Sequence, residues 1–226
     1  MPSHRPTPLQ GLDRLHARVR GSAVLYRFTL ANRILLAVGF IPTGMIKVLG
    51  RPFTRMDPAS DVGAFFDVLY RSGPYWRFIG AAQVVAGLLM LMPRTATLGA
   101  VIFAPVIANI FVITLAYDFN GTPVITGMML LATVYLLCWD WHRLRGLVFD
   151  APPAAAPLPV HRLRTAEFAV YAVGTVAAMA FFASMRGLVP HALGWAGFVV
   201  AGVAALVALG WLFIAAREAK KARAAT

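Results

Sequence analysis

Charge is what this sequence has least of. Only 13% of its 226 residues are Asp, Glu, Lys or Arg, and just 9 are acidic. A soluble domain carries about 25% charged residues. With 59% of residues in the apolar set, a water-soluble globule of this size could not hide its apolar surface. Soluble globular, disordered and disulfide-rich secreted classes are excluded. There is one cysteine, Cys138, so an intrachain disulfide, dithiol chemistry and a thiolate metal site are excluded too. Within Tyr135-Leu136-Leu137-Cys138-Trp139 it reads as a small buried hydrophobe.

Chemistry-bearing residues are equally scarce. His4 and His16 lie in the N-terminal tail, and His142, His161 and His191 lie at helix ends or in a linker. No two face each other across the membrane to ligate haem. There is no His/carboxylate set with metal spacing, no phosphate loop, and no mid-span carboxylate for a proton relay. The chain reads as non-catalytic, with no metal and no evident cofactor of its own.

What is present is a series of long apolar runs. Six stretches reach the ~20 residues needed to cross a bilayer: about 28–49, 75–92, 95–117, 119–139, 166–186 and 191–216. They are apolar all round, without the alternation of a barrel strand. The expected fold is therefore all-α, a polytopic membrane protein. A four-helix transmembrane bundle is expected over 28–145, followed by a C-terminal transmembrane hairpin over 165–216. A basic tail, 1–27, precedes them. A Pro/Ala-rich linker, 146–164, separates bundle from hairpin, and a second basic tail, 217–226, follows. No apolar segment before residue 28 resembles a signal peptide.

The net charge of +12 follows this plan. Fourteen basic residues fall on the side of the two tails and five, Arg51, Arg55, Arg71, Arg77 and Arg186, on the other. That bias predicts both termini in the cytoplasm and a place in the cell inner membrane. No basic patch is interleaved with stacking aromatics, so nucleic acid is not an expected partner.

The loop between the first two spans has its own pattern. Ser60 is placed to cap a helix, and Val62, Phe65, Phe66 and Leu69 then share one face. Asp67 and Arg71 lie four apart on the other face. A short amphipathic helix is expected there, lying at the outer interface or dipping between spans, either as a lid over an outward cavity or as a plain surface helix.

Polar residues at membrane depth mark the candidate sites. Gln83 and Asn109 lie 8 and 9 residues below the outer ends of their spans, a depth of about 12–13 Å at the helical rise. The two amides are expected either to hydrogen-bond between helices and hold the bundle or, with Thr43 and Lys47 from the first span, to line an outward-facing polar pocket for a ligand such as a quinone or lipid headgroup. Lys47 is expected to snorkel toward the outer interface or to find an acidic partner such as Asp118. On the inner side, Arg33 and Asp140 form a candidate ion pair.

The run from Arg33 to Lys47, Arg33-Ile34-Leu35-Leu36-Ala37-Val38-Gly39-Phe40-Ile41-Pro42-Thr43-Gly44-Met45-Ile46-Lys47, resembles the first helix of DoxX-like membrane proteins. Phe53, the loop with its short helix, and Gly80-Ala81-Ala82-Gln83-Val84-Val85-Ala86-Gly87 look like the segment that follows in that family. The resemblance covers about 28–145 and implies its four-helix plan. Where many members carry a glutamate, this chain has Gln83. The resemblance implies an accessory subunit of a redox or stress-response membrane complex, with a membrane or redox protein as partner. The alternatives are a quinone-linked oxidoreductase membrane subunit, with quinone as the candidate ligand, and a small-solute transporter. The transporter is disfavoured because the six spans show no inverted repeat. Ligand, partner identity and oligomeric state are not written in the sequence.

Overall fold

Three of the spans start where the chain supplies a cap or a proline. In the computed structural model, which describes residues 8–53, 56–117, 119–148 and 161–224, Ser22 caps the first of them. Its hydroxyl accepts from the Leu25 amide at 3.3 Å, satisfying a donor that the first turn leaves open. The helix runs from Ala23 to Val48 (α2), so it opens five residues before the expected 28. Arg27 belongs to its first turns and not to a tail: it pairs with Glu167 at 2.8 Å. Pro74 follows Gly73, whose φ of 56° only glycine adopts readily, and starts α4 (Pro74–Leu91). Gly121, at φ 76°, and Pro123 do the same for α6 (Thr122–Trp139). Between them lies α5 (Ala96–Ala116), which passes through Pro105 as α2 passes through Pro42.

Three shorter helices sit at the ends of these spans. They are α1 (Pro8–Arg20), α3 (Asp61–Arg71) and α7 (Trp141–Val148). The chain ends in α8 (Thr165–Met185) and α9 (His191–Ala224). The last of these continues through the Lys- and Ala-rich segment expected as a tail, because those residues are strong helix formers. Among the described residues the structure is all-helical. Six helices, α2, α4, α5, α6, α8 and α9, are long and apolar enough to cross a membrane.

Packing joins α2 to α4, α4 to α5, α5 to α6, and α6 back to α2. At the centre Phe40 and Phe103 meet edge to face at 4.4 Å, among Leu36, Ala86, Met90, Ile107 and Leu136. α2 and α4 approach closely. A Cβ on Gly80 would lie 2.6 Å from the Gly44 carbonyl oxygen, so the two backbones touch there. α8 and α9 pack on each other and α8 also packs on α2. Small residues serve the hairpin too: a Cβ on Gly197 would fall 2.5 Å from the Ala177 carbonyl.

Much of the apolar surface faces outward. No span has more than 33% of its most apolar 18-residue stretch buried, and α9 has none. Cys138 belongs to this outer surface: it is a free thiol and exposed on α6, contrary to the buried position expected. Lipid accepts apolar side chains as readily as a core does, so composition cannot separate the two locations. The Pro/Ala stretch 151–159 and Asp118 lie outside the described residues.

Candidate functional site

The end of the α2–α4 contact nearest α3 carries the first site. Lys47 is the last charged residue of α2, and the close approach at Gly44 and Gly80 draws it inside. It is only 6% exposed, so it does not snorkel. Its ammonium donates to Gln83 Oε1 at 3.0 Å and to the Thr43 carbonyl at 3.4 Å. Gln83 is itself 1% exposed. The ammonium also lies over the rings of Phe53 (4.6 Å) and Trp76 (5.3 Å), whose faces attract cations. Among the described residues no carboxylate lies within ion-pair range of Lys47. Its described side-chain partner is a neutral amide, and Asp118, the acidic partner expected for it, lies outside the described residues.

Asn109 does not join this group. It is exposed on the outward side of α5, and the α5–α6 contact is held instead by Thr114 and Thr126, whose hydroxyls lie 2.9 Å apart. The depth estimate for Asn109 rested on helical rise alone; its rotation about the axis turns the amide away from Gln83. Thr43 contributes its carbonyl, while its hydroxyl donates to the Gly39 carbonyl at 2.7 Å.

Around this ammonium the loop between α2 and α4 closes. Ser60 caps α3 as its sequence suggests, accepting from the Gly63 amide at 3.1 Å, and Asp67 pairs with Arg71 at 2.8 Å. Phe66 of α3 packs on Phe53 and Phe119, and Phe65 on Tyr117. A cavity of about 140 Å³ remains between loop and helix, lined by Pro52, Phe53, Met56, Pro58, Gly63, Phe66, Asp67 and Tyr70. Phe53 is thus one wall of the cavity and the lid of Lys47. Trp76 fixes the loop from below, donating from its indole to the Arg51 carbonyl at 3.0 Å.

Arg186, at the end of α8, was legible in the sequence only as one of the outer charges. Its guanidinium lies 4.7 Å from the Phe53 ring centroid, and it donates to the Phe53 carbonyl at 3.4 Å. Burial lowers its pKa from the ordinary arginine value. The hairpin therefore reaches the Lys47 site.

The second polar group lies at the other end of the spans. Asp140, the C-cap of α6, is 2% exposed. It pairs with Arg33 at 2.9 Å and with Arg20 of α1 at 3.4 Å, and accepts from the Thr97 hydroxyl at 2.8 Å. Arg33 and Asp140 thus meet as their depths suggested. Arg20 and Thr97 are additions that no local pattern announces. α1 is not a loose tail here: His16 is 2.9 Å from the Trp139 carbonyl and Asp13 pairs with Arg145 at 2.7 Å. Burial pulls Arg20 below its ordinary pKa against the opposing effect of Asp140. Burial first, and then the charge of Arg20, hold His142 down at about 4. Among the described residues no group of three or more His, Cys, Asp and Glu side chains is arranged to hold a metal ion.

Six apolar spans with charged clusters at their two ends define a multi-pass α-helical membrane protein. The chain is similar to the uncharacterized protein YwoB of Bacillus subtilis (strain 168), with 33% identity over 126 residues, 53% of this chain and 81% of YwoB. It belongs to the same family as YwoB. No protein-family model matches the chain, and no solved structure matches it.

Proposed function

We propose that this is a DoxX-like inner-membrane protein: a four-helix bundle plus a hairpin, with both termini in the cytoplasm. In this proposal it acts as a non-catalytic accessory subunit of a redox or stress-response membrane complex and holds a small acceptor-bearing ligand at the Lys47 site. The observation that carries it is the state of the Lys47 ammonium. Among the described residues it has two acceptors for its three protons, both neutral, and the Phe53 ring that covers it is also a wall of the neighbouring cavity. A buried cation without a carboxylate is costly, and a ligand oxygen at the third proton would offset that cost.

A quinone fits this donor set. Lys47 would hold a carbonyl oxygen, while Phe53, Phe66 and Tyr70 supply flat apolar walls. A quinone bound there would supply electron-accepting capacity to a partner enzyme. The charge bias described above supports the orientation.

Affinity purification of the full chain from mild detergent tests this, with mass spectrometry of co-purifying proteins and of extracted quinones. A stoichiometric membrane or redox partner is expected, together with a ligand that Lys47→Met loses. Bare protein carrying neither would overturn the proposal.

A further inference from the structure

Charge at the α1/α7 end is matched unevenly. Arg27 has Glu167 and Arg145 has Asp13, each with a carboxylate within 2.8 Å. Around Asp140 three guanidiniums share one carboxylate. Arg33 and Arg20 reach it directly, and Arg143 reaches it through Thr97, whose hydroxyl accepts from Arg143 at 3.0 Å while donating to Asp140. Among the described residues the group carries two positive charges more than its partner neutralises. Yet the side chains of Arg33 and Arg20 are only 13% and 19% exposed. The Nε of Arg33 is buried with no acceptor, although a guanidinium presents five N–H donors.

Surplus positive charge in a poorly solvated place calls for an anion with several acceptor oxygens. Guanidinium forks match phosphate oxygens in pairs, with charge-assisted bonds. The depth agrees with this. α1 lies beside the cluster with Leu12 and Leu15 exposed alongside Arg14 and Arg18, the mark of a helix lying in the headgroup layer. Arg143 is exposed at the rim and leaves an approach from that layer.

We propose that Arg20, Arg33 and Arg143 form a phosphate site at the α1/α7 end, filled by the headgroup of an anionic phospholipid from the adjoining leaflet. It is separate from the Lys47 site and stands or falls independently of it.

The test titrates the full chain in detergent with phosphatidylglycerol, with phosphatidylcholine and with inorganic phosphate, following melting temperature and the native mass spectrum. Phosphatidylglycerol is expected to raise the melting temperature and to add one saturable lipid per chain. Arg143→Gln should weaken that binding by about fivefold or more. Arg94→Gln removes an equal exposed charge from the same end, outside the cluster, and should weaken it by no more than about twofold because exposed charges are screened. Stabilisation by inorganic phosphate alone, with displacement of the lipid, would keep the phosphate site and assign it to the free ion. Equal responses to the two lipids, or equal losses in the two variants, would overturn the proposal. If Arg143→Gln does not fold, the wild type decides: non-saturating uptake of phosphatidylglycerol overturns the proposal, and one lipid that phosphatidylcholine cannot displace sustains it.

Discussion

Replacing Gly80 by alanine adds one methyl group where α2 and α4 leave no room. The new Cβ would lie 2.6 Å from the Gly44 carbonyl oxygen, 2.6 Å from Lys47 Cβ and 2.8 Å from the Val48 amide. Two of these three atoms are backbone, so no side-chain rotation relieves the clash. Restoring an ordinary contact of 3.4 Å from 2.6 Å requires the helices to part by about 0.8 Å. Overpacking of this kind costs about 1–3 kcal/mol, and the better helix propensity of alanine returns up to about 1 kcal/mol. The net expectation is a loss of about 1–2 kcal/mol, read as a lower midpoint in reversible unfolding of the detergent-solubilised protein. Gly202→Ala supplies the opposite sign, since nothing lies within 4 Å of a Cβ there. It should be neutral, or stabilising by up to about 1 kcal/mol. A Gly80→Ala protein as stable as the wild type would show that the two helices do not meet at this point.

Gln83→Leu leaves the Lys47 ammonium with the Thr43 carbonyl alone and should cost about 2–3 kcal/mol. Combining it with Lys47→Met should cost clearly less than the sum of the two single changes, and additivity within about 0.5 kcal/mol would refute the coupling. His142 titrates near 4 when folded, below the ordinary 6.5, so between these values the unfolded chain binds the extra proton. Its contribution to stability is present above pH ~6.5 and is lost as pH falls toward about 4. The melting temperature of the wild type should fall through that window, and His142→Gln should flatten the fall; identical profiles would refute this. Glu167→Ala strands the Arg27 guanidinium and should cost about 3 kcal/mol. With a protease site placed within 151–159 and then cut, the hairpin should stay with the rest of the wild-type chain and separate in the variant. Equal retention would show that the pair does not hold it.

Apolar run length and turn chemistry made the spans legible, because a bilayer demands both. The cap at Ser60 and the face of Phe65 and Phe66 announced α3 for the same local reasons. Arg33 and Asp140 could be matched by depth, since few charges occur at that level. The rotation of Asn109 about its helix and the exposure of Cys138 were hidden, because lipid and core ask for the same side chains. The surroundings of Lys47 were hidden for another reason. Phe53, Trp76 and Arg186 come from a loop and two other helices, and only the fold brings them together.

Two of the cations inside α2, Arg33 and Lys47, bear on how the protein is made. Asp140 follows Arg33 by 107 residues, and Gln83 follows Lys47 by 36. A ribosome adding about 5–20 residues per second delivers the carboxylate some 5–20 s late and the amide some 2–7 s late. For that interval α2 must sit in the bilayer carrying charges that cost about 2.5–3.5 kcal/mol each at its centre. Its early position is therefore held by side chains stretched toward the two surfaces. The buried arrangement arises only when α4 and then α6 are inserted beside it, so the order of synthesis is itself a folding constraint.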